Sequence, residues 1–455
     1  MIEITFKKNT VRFQIENSDA FKQKALAWAS QFEMVSYLDS NNYEDDSYGK
    51  YEALLAVGTA SQILSTTSVS PFEGGQEEKS KLDPSFEKLK TLHVEKKDWL
   101  FGFLSYDLKN EIEYLKSENL DNINLPNLHF FQPKIVIEFF KNEIKIYTKE
   151  QSAISIFEAI NHSSILSEAI FIEKEINRTD IKSSISKADY LNTISKIKSH
   201  IGLGDIYEMN FCQEFYVENA SVNPYVLFEK FNKKGKAPFS AFYKFKNKYL
   251  LCASPERFLA KRGNKLISQP IKGTTKRGGT KEEDHILQQQ LYNSPKDRSE
   301  NVMIVDLVRN DLAKSCKAGS VQVEELFGIY PFEQVHQMIS TVVGTLKDEV
   351  HFVDAIKNAY PMGSMTGAPK IRAMELIEEF EKTKRGLYSG AVGYITPDGD
   401  FDFNVVIRSM IYNQEKKYLS YQTGGAIVFD SIPENEYEEC LLKAKGFFEM
   451  MNVNS

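Results

Sequence analysis

The stretch Leu250–Thr275 constrains the fold more strongly than any other part of the chain. Its first residues form an apolar run typical of a strand, and Glu256 follows that run in a turn. The sequence Lys261-Arg262-Gly263-Asn264 has the chemistry of a hairpin turn, and a second apolar run ends at Ile267. We therefore predict two paired strands that bring the carboxyl group of Glu256 close to the amine of Lys272.

Lys272 lies between this apolar run and a Gly-Thr turn. Pro270 suits the end or the edge of a strand, and Gly273 allows a substrate to approach the backbone closely. Partial desolvation at such a point lowers the pKa of an ammonium group, which predicts some free amine near neutral pH. Lys272 is then a nucleophile or base with Glu256 as its acid. The alternatives are a solvated lysine and an inert ion pair.

The composition limits the classes of partner. The 455 residues have a formal net charge of −7 and no basic stripe, so we expect neither nucleic acid nor an anionic membrane as a partner. The N-terminus lacks the apolar core of a signal peptide and no apolar run approaches transmembrane length, which predicts a cytoplasmic protein. The cysteines are too scattered for a zinc site or a disulfide framework, and buried thiols are expected at Cys212, Cys252, Cys316 and Cys440.

The chain divides by pattern near residue 180. Residues 1–180 alternate short apolar runs with polar turns, whereas residues 181–455 carry a dense series of strands and helices. A capping box at 186–189 predicts the start of a helix at this boundary. In the N-terminal region we predict strands at 53–58, 99–106 and 135–140, and a surface loop at 73–81.

Two acidic groups have the spacing of a magnesium site. The sequence Asp297-Arg298-Ser299-Glu300 resembles a capped helix start, which places Glu300 in the first turn. A helix near the C-terminus carries Glu436, Glu439 and Lys443 on one face. Mg²⁺ usually takes one or two protein carboxylates and leaves other positions to water and an anionic ligand. The alternative interpretation is a solvated acidic face.

Three further features suit the binding of a carboxylate. The segment Ser364–Lys370 leads into a helical pattern whose first N–H groups would face an anion. Arg408 falls in an otherwise apolar strand pattern and is either a carboxylate clamp or a structural ion pair. Gly424-Gly425 allows close approach after a predicted strand, and the lone His336 is either a packed core residue or a catalyst.

The residues from about 185 to 452 resemble the chorismate-utilising enzymes, which include anthranilate synthase component I, aminodeoxychorismate synthase component I, and the isochorismate and salicylate synthases. The motifs that carry this resemblance are GDIYEMN, SPERF, PIKGT, DRSENVMIVDLVRNDL, VHQMIS, GSMTGAPK, GLYSGAVGY, VVIRSM, GGAIV and DSIPENEYEECLLKA. A lysine within PIKGT resembles the aminodeoxychorismate synthases that use a covalent intermediate, since anthranilate and isochorismate synthases usually have alanine there. The resemblance implies an α+β fold with two large antiparallel sheets packed face to face and helices outside.

The resemblance also implies a reaction. Lys272 would attack C2 of chorismate while Glu256 protonates the departing 4-hydroxyl group, and ammonia would then add at C4 and expel the lysine. The product would be 4-amino-4-deoxychorismate, from which a lyase makes para-aminobenzoate for folate synthesis. The ammonia is expected from a separate glutamine amidotransferase subunit. Anthranilate synthase component I activity and a catalytically silent chorismate-binding relative are the alternatives.

The site residues implied by the resemblance fall into three sets. Lys272, Glu256 and His336 would be catalytic. Mg²⁺ would be held by Glu300, Glu436 and Glu439. The substrate-binding residues would be Thr274, Thr366, Tyr388, Arg408, Gly424, Gly425 and Lys443.

Two positions depart from the family patterns. Glu208, in GDIYEMN, stands where amino-transferring members commonly have glutamine and water-using members have lysine. The absence of a lysine there disfavours isochorismate or salicylate synthesis. The YLDS sequence at Tyr37–Ser40 is similar to the LLES that lines the tryptophan pocket of regulated anthranilate synthases. It predicts a vestigial or structural tryptophan site in the N-terminal region.

Overall fold

The computed structural model describes residues 10–66, 85–165 and 180–451. These segments contain eleven α-helices and twenty β-strands, which confirms the predicted α+β class. The loop predicted at residues 73–81 lies outside the described residues.

The helices and strands follow one another along the whole described chain. The helices are α1 (Ser18–Ala29), α2 (Ser85–Lys96), α3 (Lys109–Ile112), α4 (Ala153–His162), α5 (Lys187–Leu203), α6 (Pro224–Gly235), α7 (Lys281–Tyr292), α8 (Pro295–Ser315), α9 (Phe352–Ala359), α10 (Lys370–Phe380) and α11 (Pro433–Met451). The strands are β1 (Thr10–Gln14), β2 (Met34–Asp39), β3 (Ala53–Ser65), β4 (Leu100–Leu104), β5 (Leu128–Phe140), β6 (Glu143–Thr148), β7 (Ile181–Ser183), β8 (Glu208–Val217), β9 (Phe239–Phe245), β10 (Lys248–Ser254), β11 (Arg257–Arg262), β12 (Lys265–Gln269), β13 (Ile271–Lys276), β14 (Gln322–Pro331), β15 (Val335–Thr345), β16 (Gly367–Ala368), β17 (Ala391–Ile395), β18 (Phe401–Asn404), β19 (Ser409–Asn413) and β20 (Tyr418–Ile427).

Antiparallel pairing traces two sheets that join along the long strand β5. The first sheet runs β1-β6-β5-β3-β2-β9-β10-β19-β20-β8, with β7 and β16 both paired to β8. The second sheet runs β5-β4-β17-β18-β11-β12-β15, with β13 and β14 both paired to β15. The first half of β5 pairs with β4 and its second half pairs with β6.

The two sheets face each other across a shared core. Tyr243 of β9 and Cys252 of β10 belong to the same buried cluster as Phe103 of β4 and Phe403 of β18. The rings of Tyr243 and Phe103 meet edge to face with their centroids 5.2 Å apart. Successive side chains of a strand point to opposite faces, so Phe242 packs on the other side of the first sheet in a second cluster with the helices. The predicted packing of two antiparallel sheets is confirmed.

The predicted hairpin is also confirmed. β11 and β12 are antiparallel, with Arg262 opposite Lys265 and with Gly263 in the turn at a φ of 59°. Pro270 separates β12 from β13. Gly273 has a φ of 99°, a left-handed value that glycine adopts without strain, and lies where β13 shifts register against β15.

The chain passes between the two sheets at two crossings that lie side by side. It leaves the first sheet between β10 and β11, where Glu256 lies, and it returns through residues 405–408 between β18 and β19. The N–H group of Val405 donates to the carbonyl oxygen of Glu256 at 3.0 Å. The N–H group of Ala253 donates to the carbonyl oxygen of Arg408 at 3.1 Å. Backbone hydrogen bonds therefore hold the two crossings together.

Both sheets contain strands from each side of the boundary predicted near residue 180. β4 pairs with β17, and β2 pairs with β9, so the regions 1–180 and 181–455 share one core. The four cysteines are free and buried, as predicted. Within the described residues, every helix is too short or too polar to cross a membrane.

Phe103→Ala should lower the free energy of unfolding by about 3–5 kcal/mol, because it removes a fully buried ring from between the sheets and leaves a cavity. Urea unfolding followed by circular dichroism measures the effect. Leu442→Ala is the control, since Leu442 is 69% exposed and its loss should change stability by less than about 0.5 kcal/mol. Equal midpoints for the two variants would contradict the shared core.

Candidate active site

Lys272 and Glu208 form an ion pair that spans the two sheets. Lys272 is on β13 of the second sheet, and its side chain is 12% exposed. Its Nζ donates a hydrogen bond to Oε1 of Glu208, the first residue of β8 in the first sheet, at 2.7 Å. The other carboxylate oxygen of Glu208, Oε2, is buried and has no hydrogen-bond partner among the described residues.

The surroundings of Lys272 hold it as an ammonium ion. Burial lowers its pKa, but the negative charges of Glu208, Glu300 and Glu256 more than offset this effect, so the pKa lies above its ordinary value. The predicted lowering of the Lys272 pKa is therefore wrong for this state of the site. The prediction considered desolvation alone, whereas three carboxyl groups from distant parts of the chain gather around the amine.

Glu256 has the properties of a general acid. Its side chain is buried at the first crossing, and burial raises its pKa to about 7. The Ser364 hydroxyl, the charge of Lys272 and the N–H group of Ile271 act in the opposite direction. A carboxyl group with this pKa is partly protonated at neutral pH, as a proton donor to a leaving group must be. Its interaction with Lys272 agrees with the proximity predicted from the hairpin.

Glu300 lies on helix α8 but not in its first turn. The helix begins three residues earlier than predicted, because the side chain of Ser294 caps it by accepting a hydrogen bond from the N–H group of Asp297. Burial raises the pKa of Glu300, and the charges of Lys272 and Lys296 oppose this shift. The Lys296 Nζ is 3.9 Å from the Glu300 carboxylate.

Helix α11 begins at Pro433, as predicted, and brings charged side chains over β20. Oε2 of Glu436 and Oε1 of Glu439 each lie 3.3 Å from the point that a Cβ atom on Gly425 would occupy. Lys443 donates to the carbonyl oxygen of Gly424 at 2.8 Å and pairs with Glu439 at 2.6 Å. Burial raises the pKa of Glu439, but Lys443 together with the charges of Lys296 and Lys272 more than offsets this effect, so the pKa is below its ordinary value.

Gly424 and Gly425 lie inside β20 rather than after a strand as predicted, since β20 continues to Ile427. A Cβ atom on Gly424 would overlap the carbonyl oxygen of Phe211 on the neighbouring strand β8. Glycine at this position is therefore required by the close approach of two strands.

The three predicted magnesium ligands offer the hard oxygen atoms that Mg²⁺ prefers. Among the described residues, no three acidic, histidine or cysteine side chains are gathered closely enough to hold a metal ion by themselves. The positive charge of Lys296 nevertheless acts to lower the pKa of all three carboxyl groups, those of Glu300, Glu436 and Glu439. The set fits an ion that takes some ligands from substrate and water better than it fits a closed protein cage, and the metal site stays a prediction.

The predicted substrate-binding side chains differ in their surroundings. Thr366 is fully buried, and its hydroxyl donates to the carbonyl oxygen of Gly363 at 3.2 Å. The Tyr388 hydroxyl is buried 3.5 Å from the Cys212 sulfur. Thr274 is exposed on β13. Contact of each of these residues with a substrate stays a prediction.

Arg408 is not in a strand, so that part of the prediction is wrong. It lies on the second crossing, immediately before β19, with a left-handed φ of 50°. This conformation interrupts the extended backbone that the apolar pattern predicted. The Arg408 charge acts on Tyr421 of β20, which places the guanidinium near the strand that carries Gly424 and Gly425.

The structure does not bring His336 into the cluster around Lys272. The ring is fully buried, with Nε2 2.8 Å from the Asp284 carboxylate and Nδ1 3.4 Å from the Gln288 amide. Both partners are on helix α7. This arrangement corresponds to the packed, hydrogen-bonded alternative, and a catalytic role for His336 stays a prediction.

Gln337 is a further polar residue near the site, and none of the sequence motifs indicated it. It follows His336 on β15, so its side chain points to the opposite face of the strand, and it stands opposite Thr274 in the strand pairing. Its Oε1 is buried and has no hydrogen-bond partner among the described residues. The one sequence signal that could have indicated Gln337 is the alternation of side chains along a strand, which places it on the face opposite to His336.

A concave region lies beside the YLDS segment. It is a cavity of about 1060 Å³ whose lining includes Leu38, Asp39 and Ser40 together with Arg257 and Asn404. Arg257 directly follows Glu256, and Asn404 directly precedes the second crossing. The cavity therefore adjoins both crossings, and tryptophan binding there stays a prediction.

Glu256→Gln should make the protein more stable at high pH. The folded-state pKa of about 7 lies above the ordinary value of 4.5, so the carboxyl group loses its stabilising effect as the pH rises from 4.5 to 7. The neutral amide does not ionise, so the variant avoids this loss of stability. Above pH 7 its free energy of unfolding should exceed that of the unmodified protein by up to about 3 kcal/mol. Urea unfolding at about pH 5 and pH 8.5 measures the difference.

The exposed Glu158→Gln serves as the control for this measurement, and its effect on stability should be less than about 0.5 kcal/mol. A Glu256→Gln difference that is the same at both pH values would show that the Glu256 carboxyl group titrates normally.

Comparisons with known proteins identify relatives over most of the chain. Residues 34–449 match the family model for chorismate binding enzyme. The aminodeoxychorismate synthase component 1 of Bacillus subtilis (strain 168) is 33% identical over 361 residues, which cover 75% of this chain and 74% of that protein. The anthranilate synthase component 1 of Acetivibrio thermocellus is 34% identical over 367 residues, which cover 76% and 74%. The probable chloroplastic aminodeoxychorismate synthase of Oryza sativa subsp. japonica is 41% identical over 288 residues, 63% of this chain, and the match spans only 32% of that longer protein.

Solved structures agree with this result. Anthranilate synthase component I from Streptococcus pneumoniae TIGR4 superposes with a TM-score of 0.71 at 26% identity, covering 90% of this chain and 94% of that chain. MenF, the menaquinone-specific isochorismate synthase from Escherichia coli, has the same fold, with a TM-score of 0.72 at 17% identity over 97% of this chain and 94% of its own. The chain with Lys272 between the two sheets belongs to the family of chorismate-binding enzymes.

Proposed function

We propose that this chain aminates chorismate at C4 to give 4-amino-4-deoxychorismate, the precursor of para-aminobenzoate and folate. The observation that carries the proposal is the largely buried amine of Lys272 beside Glu256, an acid with a pKa of about 7. A nucleophile and a proton donor at one site are what a two-step displacement needs. The matching relatives named aminodeoxychorismate synthase support the choice of product.

In the first step, the neutral amine of Lys272 forms a bond to C2 of chorismate. The two ring double bonds shift towards C4, and the C4–O bond breaks. Glu256 transfers its proton to the departing hydroxyl group, which leaves as water. The substrate is then attached to the protein through Nζ of Lys272.

In the second step, ammonia forms a bond to C4, the double bonds shift back and the C2–Nζ bond breaks. The new ammonium group at C4 gives up a proton, which restores the protonated form of Glu256. We expect the ammonia from a separate glutamine amidotransferase subunit, in line with relatives named as component 1.

Glu300, Glu436 and Glu439 would hold Mg²⁺ together with the ring carboxylate of the substrate. The ion would neutralise that carboxylate and draw electrons from the ring when bound. Lys443, fixed to the backbone of Gly424, adds a positive charge at the same edge of β20.

A tryptophan-sized ligand in the cavity beside Tyr37–Ser40 is a second proposal for the N-terminal region. The cavity of about 1060 Å³ is large enough for such a ligand and is lined by acidic and basic side chains that suit an amino acid.

Anthranilate synthase activity is the competing function, because relatives with that name match at a similar identity. The product distinguishes the two activities. Incubation of the protein with chorismate, Mg²⁺ and ammonium, followed by addition of a lyase, should give para-aminobenzoate. Direct formation of anthranilate would overturn the proposal.

Lys272→Ala should reduce amination at C4 at least about a hundredfold, because it removes the nucleophile. The assay is the one above, with intact-protein mass spectrometry to detect the lysine adduct in the unmodified protein. Lys276→Ala is the matched control, since it removes an exposed lysine from the same strand. Unchanged product and rate in Lys272→Ala would exclude a covalent mechanism.

The rate of adduct formation should fall as the pH rises above about 7, because Glu256 loses the proton that the leaving hydroxyl group needs. Rapid-quench measurements between about pH 6 and pH 9, without ammonium, follow this step alone. A rate that keeps rising through this range would show that Glu256 is not the proton donor.

A further inference from the structure

Glu208 combines three properties that are unusual in one carboxylate. Its side chain is 2% exposed, one of its oxygens bonds to the Lys272 amine, and the other has no hydrogen-bond partner among the described residues. A buried carboxylate is costly unless its oxygens are satisfied. Among the described residues, Glu214 of the same strand also has one buried oxygen without a hydrogen-bond partner, so the feature that distinguishes Glu208 is its bond to the Lys272 amine.

The backbone fixes Glu208 at the meeting point of several segments. It opens β8, where it stands opposite Ala368 of β16. The next residue, Met209, is paired on one side with Gly367 and on the other with Ile427 of β20. A side chain on a strand held from both sides is positioned before the substrate arrives, as a catalytic group should be.

The reaction described above leaves one proton without an acceptor. Lys272 rests as an ammonium ion, which has no lone pair with which to attack C2, so it must lose a proton first. Glu256 starts this reaction in its protonated form, as the donor to the leaving hydroxyl group, and in that form it has no basic oxygen to accept a second proton. Glu300 acts on Lys272 only through its charge, since its carboxylate forms no ion pair with this amine.

We propose that Glu208 is the base for Lys272: it accepts the ammonium proton before the attack on C2, keeps it while the lysine is bonded to the substrate, and returns it when the lysine is released. The N–H bond of Lys272 breaks as the O–H bond of Glu208 forms, and the last step reverses this transfer. Glu256 supplies the separate proton that leaves in water. This inference rests on the proposed function of Lys272 as a nucleophile.

A counter-ion role would have the opposite effect on the reaction. If Glu208 only kept Lys272 charged, its removal would take away the largest of the charges that oppose the effect of burial on the pKa of the amine, and the free amine would form more readily. If Glu208 is the base, its removal should slow the reaction. The charged groups that act on Lys272 are Glu208, Glu300 and Glu256, and Lys272 in turn acts on Glu439.

The test measures adduct formation by Glu208→Gln with chorismate and Mg²⁺ in single-turnover experiments without ammonium. Rapid quench and intact-protein mass spectrometry give the rate at which chorismate less one water is attached. We expect a rate about 10²–10⁴-fold below that of the unmodified protein at pH 7, the range of general base catalysis. The deficit should narrow as the pH rises, because solvent then removes the Lys272 proton.

Glu214→Gln is the matched control. Glu214 is a buried carboxylate on the same strand, bonded to Ser420 rather than to Lys272, so its variant should form the adduct at the normal rate. Glu208→Asp keeps a carboxylate and should retain more activity than Glu208→Gln. It also keeps the question testable if the amide variant fails to fold, which circular dichroism would show.

The outcomes separate this inference from the function on which it rests. An adduct that forms in Glu208→Gln as fast as in the unmodified protein, or faster, overturns the base role and leaves the lysine mechanism intact. A deficit that stays constant from about pH 6 to pH 9 indicates a structural role and also overturns it. Absence of any adduct in the unmodified protein would instead refute the proposed function.

Discussion

The ion pair between Lys272 and Glu208 joins the chemistry of this protein to the packing of its two sheets. Each sheet supplies one partner, and a buried pair is favourable only if its geometry is well maintained. The shared core, in which rings such as Tyr243 and Phe103 interlock, fixes the distance between the sheets. The crossings that connect the sheets then place Glu256 and Arg408 at the same junction.

Local sequence chemistry was sufficient to predict the elements that depend on neighbouring residues. The glycine turn at Gly263 specifies the hairpin. Ser186 caps the helix Lys187–Leu203 by accepting a hydrogen bond from the N–H group of Asp189. Pro433 likewise starts the last helix. The family resemblance then supplied the arrangement of the sheets and the proposed role of Lys272, which no local pattern could distinguish from a solvated lysine.

The predictions that failed concern contacts between residues far apart in the chain. Desolvation suggested a lowered pKa for Lys272, but Glu208, Glu300 and Glu256 come from three separate elements and reverse the shift. The left-handed backbone at Arg408 is set by its place on a crossing and not by the apolar residues around it. Gln337 was missed because its unsatisfied oxygen is a property of the assembled core.

The way in which β17 pairs with β4 has a consequence for how such enzymes can be recombined. The residues proposed to be catalytic all lie after residue 207, which invites the view that the N-terminal region is an accessory module. However, removing that region would take away β2 to β6 and would leave β9 without its partner β2 and β17 without its partner β4, so that each sheet would gain an open edge. Segments can therefore be exchanged between proteins of this fold without disrupting the sheets only when the whole two-sheet unit is transferred.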